Sequence, residues 1–435
     1  MSNPFFHGDP VSPDQFLGRR SDLRRITDRI VPNGQSSAIV GEPRTGKTSL
    51  LRYLAAPETR ADLYGDAGER LLFSFIDSQM LDTQCNQARF WELALCRLDD
   101  QIIAPNPDSL LAQVYRACQE KNFDRYQLER LFVQMELAGW RLVLLLDEFD
   151  ILLYHTTLCC GEFFGSLRSL ASRCRALALV IASRRPLTDL NKDTQQFSRT
   201  SSPYFNIFDP IALGPLSDDA IEELLGRAGD RFRVEDCHFV KDVAGGHPYL
   251  LQVAASELWR AYEDGERDPY RRRRRAGDGL YDKIALTMSD TWQFWSPEMR
   301  KALTVVALAH IPYLLSQREF DVEHLLRDLR DFGRELKPLE KQGFIVEDEK
   351  VPGGWRVHPG ALLWWLADEL LRIVRDETPF EEWLRAQEWD GLLKRGEKQQ
   401  LDRGIRAIAG LLKDGAATLI EAAAKGVGEA VMKGG

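Results

Sequence analysis

The chain has 435 residues, which at roughly 150 residues per domain predicts two to four domains with ample core and excludes a disordered or collagen-like protein. Its 57 Lys and Arg against 66 Asp and Glu leave a net charge of −9, which argues against wholesale electrostatic binding to nucleic acid or anionic lipid and leaves room only for a local basic face. The opening stretch MSNPFFHGDPVSP has neither the basic flank nor the apolar core of a secretory signal, and aliphatic runs such as Leu142 to Leu146 are too short to span a bilayer, so a cytoplasmic protein is expected. The seven cysteines are odd in number and lack a Cys-x-x-Cys pair, so they read as small buried apolar residues rather than as a disulfide framework or zinc site.

In chain order, residues 36 to 40 form a short apolar run that meets a glycine loop at Gly41, and a helical pattern follows from Ser49. Further aliphatic and β-branched runs lie at 71–77, 141–147 and 177–183, with helix-period segments at 88–103, 109–119, 125–139 and 160–173. Strands alternating with helices predict a mainly parallel sheet covered on both faces. From Ser217 the patterns are helical, at 218–227, 234–244 and 248–262. Polar residues 264 to 279, with five consecutive arginines at Arg271 to Arg275, read as a solvated linker, because like charges repel and stay extended. Helices near 297–309, 319–330 and 332–342, then strand-like pieces at 344–347 and 355–358 joined by a Pro-Gly-Gly turn, suggest a winged helix.

In the tail, Leu401, Ile405, Ile408, Leu412, Ala416, Leu419, Ala423, Val427 and Val431 recur every three or four residues as one helix face. Gly404, Gly410, Gly415, Gly426 and Gly428 each weaken such a helix by about 1 kcal/mol relative to Ala, so it needs a partner. The expected divisions are an N-terminal segment 1–33, a core 34–216, a helical domain 217–263, an Arg-rich linker 264–284, a winged-helix domain 285–375 and a helical tail 376–435.

The chemistry is concentrated in two places. Gly41, Glu42, Pro43, Arg44, Thr45, Gly46, Lys47 and Thr48, leading into Ser49, satisfy the phosphate-binding loop pattern. Its glycines let backbone N–H groups curl round a β-phosphate, Lys47 neutralises β/γ charge, and the Thr48 hydroxyl ligates Mg²⁺. One hundred residues on, the run Leu142 to Leu146 delivers Asp147 and Glu148 at a strand end, an unfavourable arrangement unless the carboxylates meet a cation. Asp147 is assigned to the Mg²⁺ shell with Thr48, and Glu148 to orienting and deprotonating the attacking water. Arg184, after the strand that ends at Ser183, either reports the γ-phosphate as a catalytic residue or is a plain surface arginine.

Asn3-Pro4-Phe5, Pro10-Val11 and Phe16-Leu17-Gly18-Arg19 precede the loop, and Asp147-Glu148-Phe149-Asp150, Ala182-Ser183-Arg184, Ser202-Pro203-Tyr204-Phe205-Asn206, Leu213-Gly-Pro-Leu216 and Gly246-His247-Pro248 follow it. Together these resemble the AAA-like ATPases of the STAND class, within the AAA+ superfamily and related to archaeal ATPases and origin-recognition initiators. The resemblance covers about residues 3 to 372. It implies an α/β P-loop NTPase three-layer sandwich with a parallel 5-1-4-3-2 sheet, then a helical lid, a winged-helix domain and a helical C-terminal tail. It also implies that Phe16, Gly18 and Arg19 line an adenine pocket and that Pro248 of the lid packs on the nucleotide. STAND proteins are switches: the ADP form is closed and monomeric, and exchange to ATP opens the winged helix and allows assembly that activates an effector. No internal repeat of 20 to 50 residues is found, so the long repeat sensor usual in that class is not expected in this sequence.

Several residues admit two readings. His358, after the second wing strand, either senses the nucleotide diphosphate or merely caps the wing, and His247 similarly either has such a role or is only the spacer of the Gly-x-Pro turn. Arg199 is weighed as an arginine finger acting in trans. Arg330, Arg334, Lys337 and Lys341 have helical spacing suited to DNA, but residues 290 to 375 hold 12 Lys and Arg against 14 Asp and Glu, which is poor for counterion release. The tail is nearly neutral with a small-residue stripe, so self-association is preferred to membrane contact. The reading is a cytoplasmic, Mg²⁺-dependent ATPase switch that binds ATP and ADP, forms a homo-oligomer in the ATP state and answers an unidentified trigger and effector in signalling or defence. A DNA-loading AAA+ factor is the alternative.

Overall fold

The computed structural model describes residues 2–197, 202–315, 332–375, 379–412 and 414–431. The expected helix 319–330, Arg330 and Arg199 lie outside these residues. The chain forms two compact units, one of Pro10–Glu42 with Gly46–Leu213, the other of Met1–Asp9 with Pro43–Thr45 and Gly214–Gly435. The N-terminal segment expected as one piece is therefore divided: Asn3 Nδ2 donates to Ser256 Oγ at 2.9 Å and Phe5 stacks on Phe232 with centroids 5.6 Å apart, both inside the second unit.

The first unit contains, in order, α1 (Arg20–Asn33), β1 (Ser37–Val40), α2 (Lys47–Ala55), α3 (Arg60–Tyr64), β2 (Leu71–Asp77), α4 (Gln87–Leu98), α5 (Leu110–Glu120), α6 (Arg125–Leu137), β3 (Arg141–Asp147), α7 (Gly161–Arg173), β4 (Leu177–Ser183), α8 (Leu187–Thr194) and β5 (Asp209–Ala212). The strands form one parallel sheet in the order β2-β3-β4-β1-β5, the 5-1-4-3-2 order that the resemblance implies. β3 is apolar at every position from Leu142 to Leu146 because both of its faces are covered. Leu142, Leu144 and Leu146 face a core built with Phe90, Trp91, Phe132 and Phe163, whereas Val143 and Leu145 face another built with Ile26, Ile30, Leu50 and Leu54. That alternation is the period-two geometry of a strand, and it yields three layers. The register pairs Val40 with Ser183 and Leu146 with Ile181, so β1, β3 and β4 end at the same edge of the sheet. This is an α/β P-loop NTPase fold.

The second unit is mainly helical: α9 (Asp218–Gly226), α10 (Val234–Ala244), α11 (Pro248–Glu263), α12 (Pro269–Phe294), α13 (Pro297–Leu314), α14 (Gly333–Lys341), a hairpin of β6 (Ile345–Glu347) and β7 (Trp355–Val357), then α15 (Gly360–Val374), α16 (Phe380–Ala386), α17 (Arg395–Leu411) and α18 (Ala416–Val431). The arginine run is not a linker. It opens α12, where Asp268 caps the helix by accepting the Arg271 N–H at 2.8 Å and Pro269 occupies the first turn. Helical geometry turns Arg272 and Arg273 inward to the buried carboxylate of Asp236 on α10, while Arg271, Arg274 and Arg275 stay exposed. The expected boundary at 284/285 accordingly falls inside a continuous helix.

The tail is also not one helix. Gly415, at φ +61°, breaks it between α17 and α18. Much of its apolar stripe is covered within the unit: α18 packs on α10, α12 and α15, and Leu401, Ile405, Ile408, Leu412, Ala416 and Leu419 are buried, with Ala423 half-buried. Among the described residues no helix is long and apolar enough to cross a membrane.

Candidate active site

The loop after β1 positions the first group. Arg44 at φ +61° and Gly46 at φ +95° take left-handed conformations that curl the backbone, and Gly46 precedes α2 without a side-chain cap. The first N–H groups of α2 are thus presented at a helix N-terminus, an arrangement suited to an anion. Lys47 is buried, and its Nζ donates to the carbonyls of Gly41 at 2.9 Å and Glu42 at 3.0 Å. Burial lowers the Lys47 pKa, opposed chiefly by the nearby Glu148 carboxylate. Glu42 and Thr45 are buried and Thr48 half-buried, whereas the Ser49 hydroxyl is engaged in accepting the Val11 N–H at 3.2 Å. Pro43, Arg44 and Thr45 group with the second unit, where the Arg44 guanidinium lies 4.2 Å from the centroid of the Tyr249 ring.

The ends of β3 and β4 supply the second group. Asp147 is 3% exposed and its Oδ1 accepts the Glu148 N–H at 3.0 Å. Glu148 itself adopts φ +47°, a conformation rare for a residue with a side chain and one that clusters at functional sites. Its carboxylate lies 3.5 Å from Arg184 Nε. Burial pushes the Glu148 pKa up; Lys47 and Arg184 oppose this, and Asp150 and Asp147 reinforce it. The first unit thus brings Lys47, Glu148 and Arg184 within electrostatic reach of one another.

Phe16 stacks on Tyr53 of α2 at 4.4 Å, and Gly18 and Arg19, both at positive φ, lead into α1. The Arg19 guanidinium is mostly buried and lies 3.8 Å from Asp22. Pro248 opens α11 in the second unit, after His247. His358, also in that unit, is half-buried beside Gly245, and its Nε2 lies 3.4 Å from the Lys241 carbonyl.

A Thr hydroxyl and an Asp carboxylate are hard oxygen donors of the kind Mg²⁺ prefers. Among the described residues no group of three or more His, Cys, Asp or Glu could hold a metal ion unaided. Thr48 and Asp147 are donors of that class. One site residue was given no role from sequence: Asp150, buried, accepts the Arg184 N–H at 3.2 Å. In the sequence it shows only as a third acidic residue, three positions past Asp147, with no local partner.

No curated protein matches this chain. Among solved structures it is similar to a Walker-type ATPase of Pyrococcus abyssi, at 16% identity and a TM-score of 0.49 over 81% of this chain and 96% of that one. It is also similar to the ORC2 protein of Aeropyrum pernix, at 11% identity and a TM-score of 0.44 over 91% of this chain and 96% of that one. A STAND protein with a tetratricopeptide repeat sensor from Pyrococcus horikoshii aligns at 16% identity and a TM-score of 0.35 over 84% of this chain and 46% of that one. Residues 10–266, more than half of the chain, match the family of the AAA-like domain. With its P-loop NTPase core, this chain belongs to the AAA-like domain family.

Proposed function

We propose that this protein is an ATP-binding, slowly hydrolysing switch of the STAND type, whose ADP or ATP state controls opening, assembly and output. The observation that carries this reading is the convergence of Lys47, Glu148 and Arg184 at the ends of β1, β3 and β4. In it, Lys47 exchanges its two carbonyl acceptors for β- and γ-phosphate oxygens, and Gly41 to Ser49 wrap the phosphates. Thr48 and Asp147 would hold Mg²⁺, which when bound neutralises phosphate charge. Glu148 takes the proton of the attacking water, and Arg184 leaves Glu148 for the γ-phosphate. Phe16, Gly18 and Arg19 are proposed to hold the adenine.

Lid, winged helix and tail are then the parts through which the state is transmitted in the cytoplasm to an effector, in signalling or defence. The burial of the tail stripe supports a closed form in which α17 and α18 are held, so that self-association of the tail requires their release. A DNA-loading role is the second reading: Arg334, Lys337 and Lys341 are exposed on α14, although Glu335 and Glu340 interrupt them.

Nucleotide binding and turnover test the reading. Lys47→Ala is expected to lose ATP binding, and Glu148→Gln to keep binding while turnover falls by about 10² to 10⁴. Undiminished turnover in Glu148→Gln overturns it.

A further inference from the structure

We propose that Asp150 is a positioning residue that fixes the backbone of Arg184 and so aims that guanidinium at the γ-phosphate. The proposal rests on the ATPase reading above and deepens it.

Asp150 lies in the turn Phe149–Tyr154, which carries the chain away from β3, and it is 7% exposed. Burial of a carboxylate is unfavourable unless hydrogen bonds compensate. Its Oδ1 accepts the N–H of Arg184, at 3.2 Å. That donor belongs to the first residue beyond β4, just past the last strand pairing of Ser183 with Val40. The same stretch is held a second time, since Ser183 Oγ accepts the Arg185 N–H and donates to the Arg185 carbonyl, both at 3.0 Å.

The turn also reaches Arg185, whose guanidinium donates to Tyr154 Oη at 3.2 Å. Beneath it Phe149 is buried edge-on against Phe205, centroids 5.5 Å apart, which keeps the turn from shifting. One short segment therefore presents Asp147 and Glu148 at its start and anchors the Arg184 backbone from its interior. With the backbone held, the Arg184 side chain starts from a fixed place at the strand end, and in this structure its Nε lies 3.5 Å from the Glu148 carboxylate. A displacement of about 1 Å in a group that meets the reacting phosphate can cost a hundredfold in rate.

The rival role for a buried carboxylate here is chemical, as proton acceptor or metal ligand. Asp150→Asn separates the two, because an amide oxygen still accepts the Arg184 N–H while the charge and basicity are gone. On the full chain with ATP and Mg²⁺, Asp150→Asn is expected to keep kcat within a few-fold, and Asp150→Ala to lose about ten- to a hundredfold in kcat with ADP affinity unchanged. The double variant Asp150→Ala, Arg184→Ala is expected to be no slower than Arg184→Ala alone. A loss in Asp150→Asn equal to that in Asp150→Ala overturns the proposal, as do multiplicative effects of the two single alanine variants. If Asp150→Ala fails to fold, Asp150→Asn alone decides. Glu148→Gln, assayed in parallel, separates the two levels: full turnover there overturns the ATPase reading itself, whereas an inactive Glu148→Gln beside an inactive Asp150→Asn overturns only the role of Asp150.

Discussion

The Arg273 guanidinium lies 3.5 Å from Asp236, whose side chain is fully buried, and its Nε donates to the Ala424 carbonyl at 3.1 Å. Arg272 stands 3.9 Å from the same carboxylate, and Tyr262 Oη donates to it at 2.5 Å. One aspartate thereby joins α10, α11 and α12, and Arg273 extends the link to α18.

Removing that aspartate leaves two buried guanidinium groups without their counter-charge. Asp236→Ala is expected to destabilise the second unit by about 3–5 kcal/mol, read from urea unfolding. A loss below about 1 kcal/mol would mean that water or other groups satisfy the arginines.

The break between α17 and α18 depends on a glycine. At Gly415 (φ +61°) an added Cβ would sit 2.0 Å from Asp368 Oδ1, the atom that accepts the Ala416 N–H at 2.7 Å and so starts α18. Gly415→Ala should therefore cost more than the roughly 1 kcal/mol of a left-handed alanine and should expose residues 412–425 to protease. Unchanged cleavage rates would count against α18 being held through Asp368.

Two histidines predict acid sensitivity. Burial, followed by the charge of Arg356, lowers the pKa of both His310 and His358 to about 4 from an ordinary 6.5. The unfolded chain binds these protons between pH 6.5 and 4 and the native unit does not, so stability is full above pH 6.5 and falls as pH drops through that window. Each histidine accounts for about 3 kcal/mol. His310→Asn and His358→Asn should flatten the dependence of unfolding free energy on pH, and an equally steep dependence in both variants would refute it.

Glu148 predicts the pH course of turnover. Its pKa is raised by burial, so the carboxylate that accepts the proton is lost on acidification sooner than an ordinary glutamate would be. The rate should rise with pH along an acid limb that lies above the usual glutamate range and vanishes in Glu148→Gln. A limb unaffected by that substitution would assign the titration elsewhere.

The strands at 141–147 and 177–183 were legible because a strand buried on both faces is written as a nearly unbroken apolar run, and 71–77 was legible from its aliphatic and aromatic residues despite Ser74 and the exposed Phe75. β5 was not, being four residues long with Asp209 and Pro210 at its start, and it came only through the resemblance. The glycine loop and the Asp147–Glu148 pair announce themselves because their chemistry demands adjacent residues. Asp150 had no such local demand: its partner, the Arg184 N–H, is brought to it by the pairing of β3 with β4. Arg271 to Arg275 failed for a similar reason, since the carboxylate that buries two of them is Asp236, on a different helix.

The most direct test of the switch is the solution mass of Glu148→Gln with ADP and then with ATP and Mg²⁺, repeated with duplex DNA and on a chain ending near Pro379. ATP-driven assembly without DNA, lost on truncation, is the predicted result. A protein that stays monomeric with ATP until DNA is added contradicts the switch and favours DNA loading.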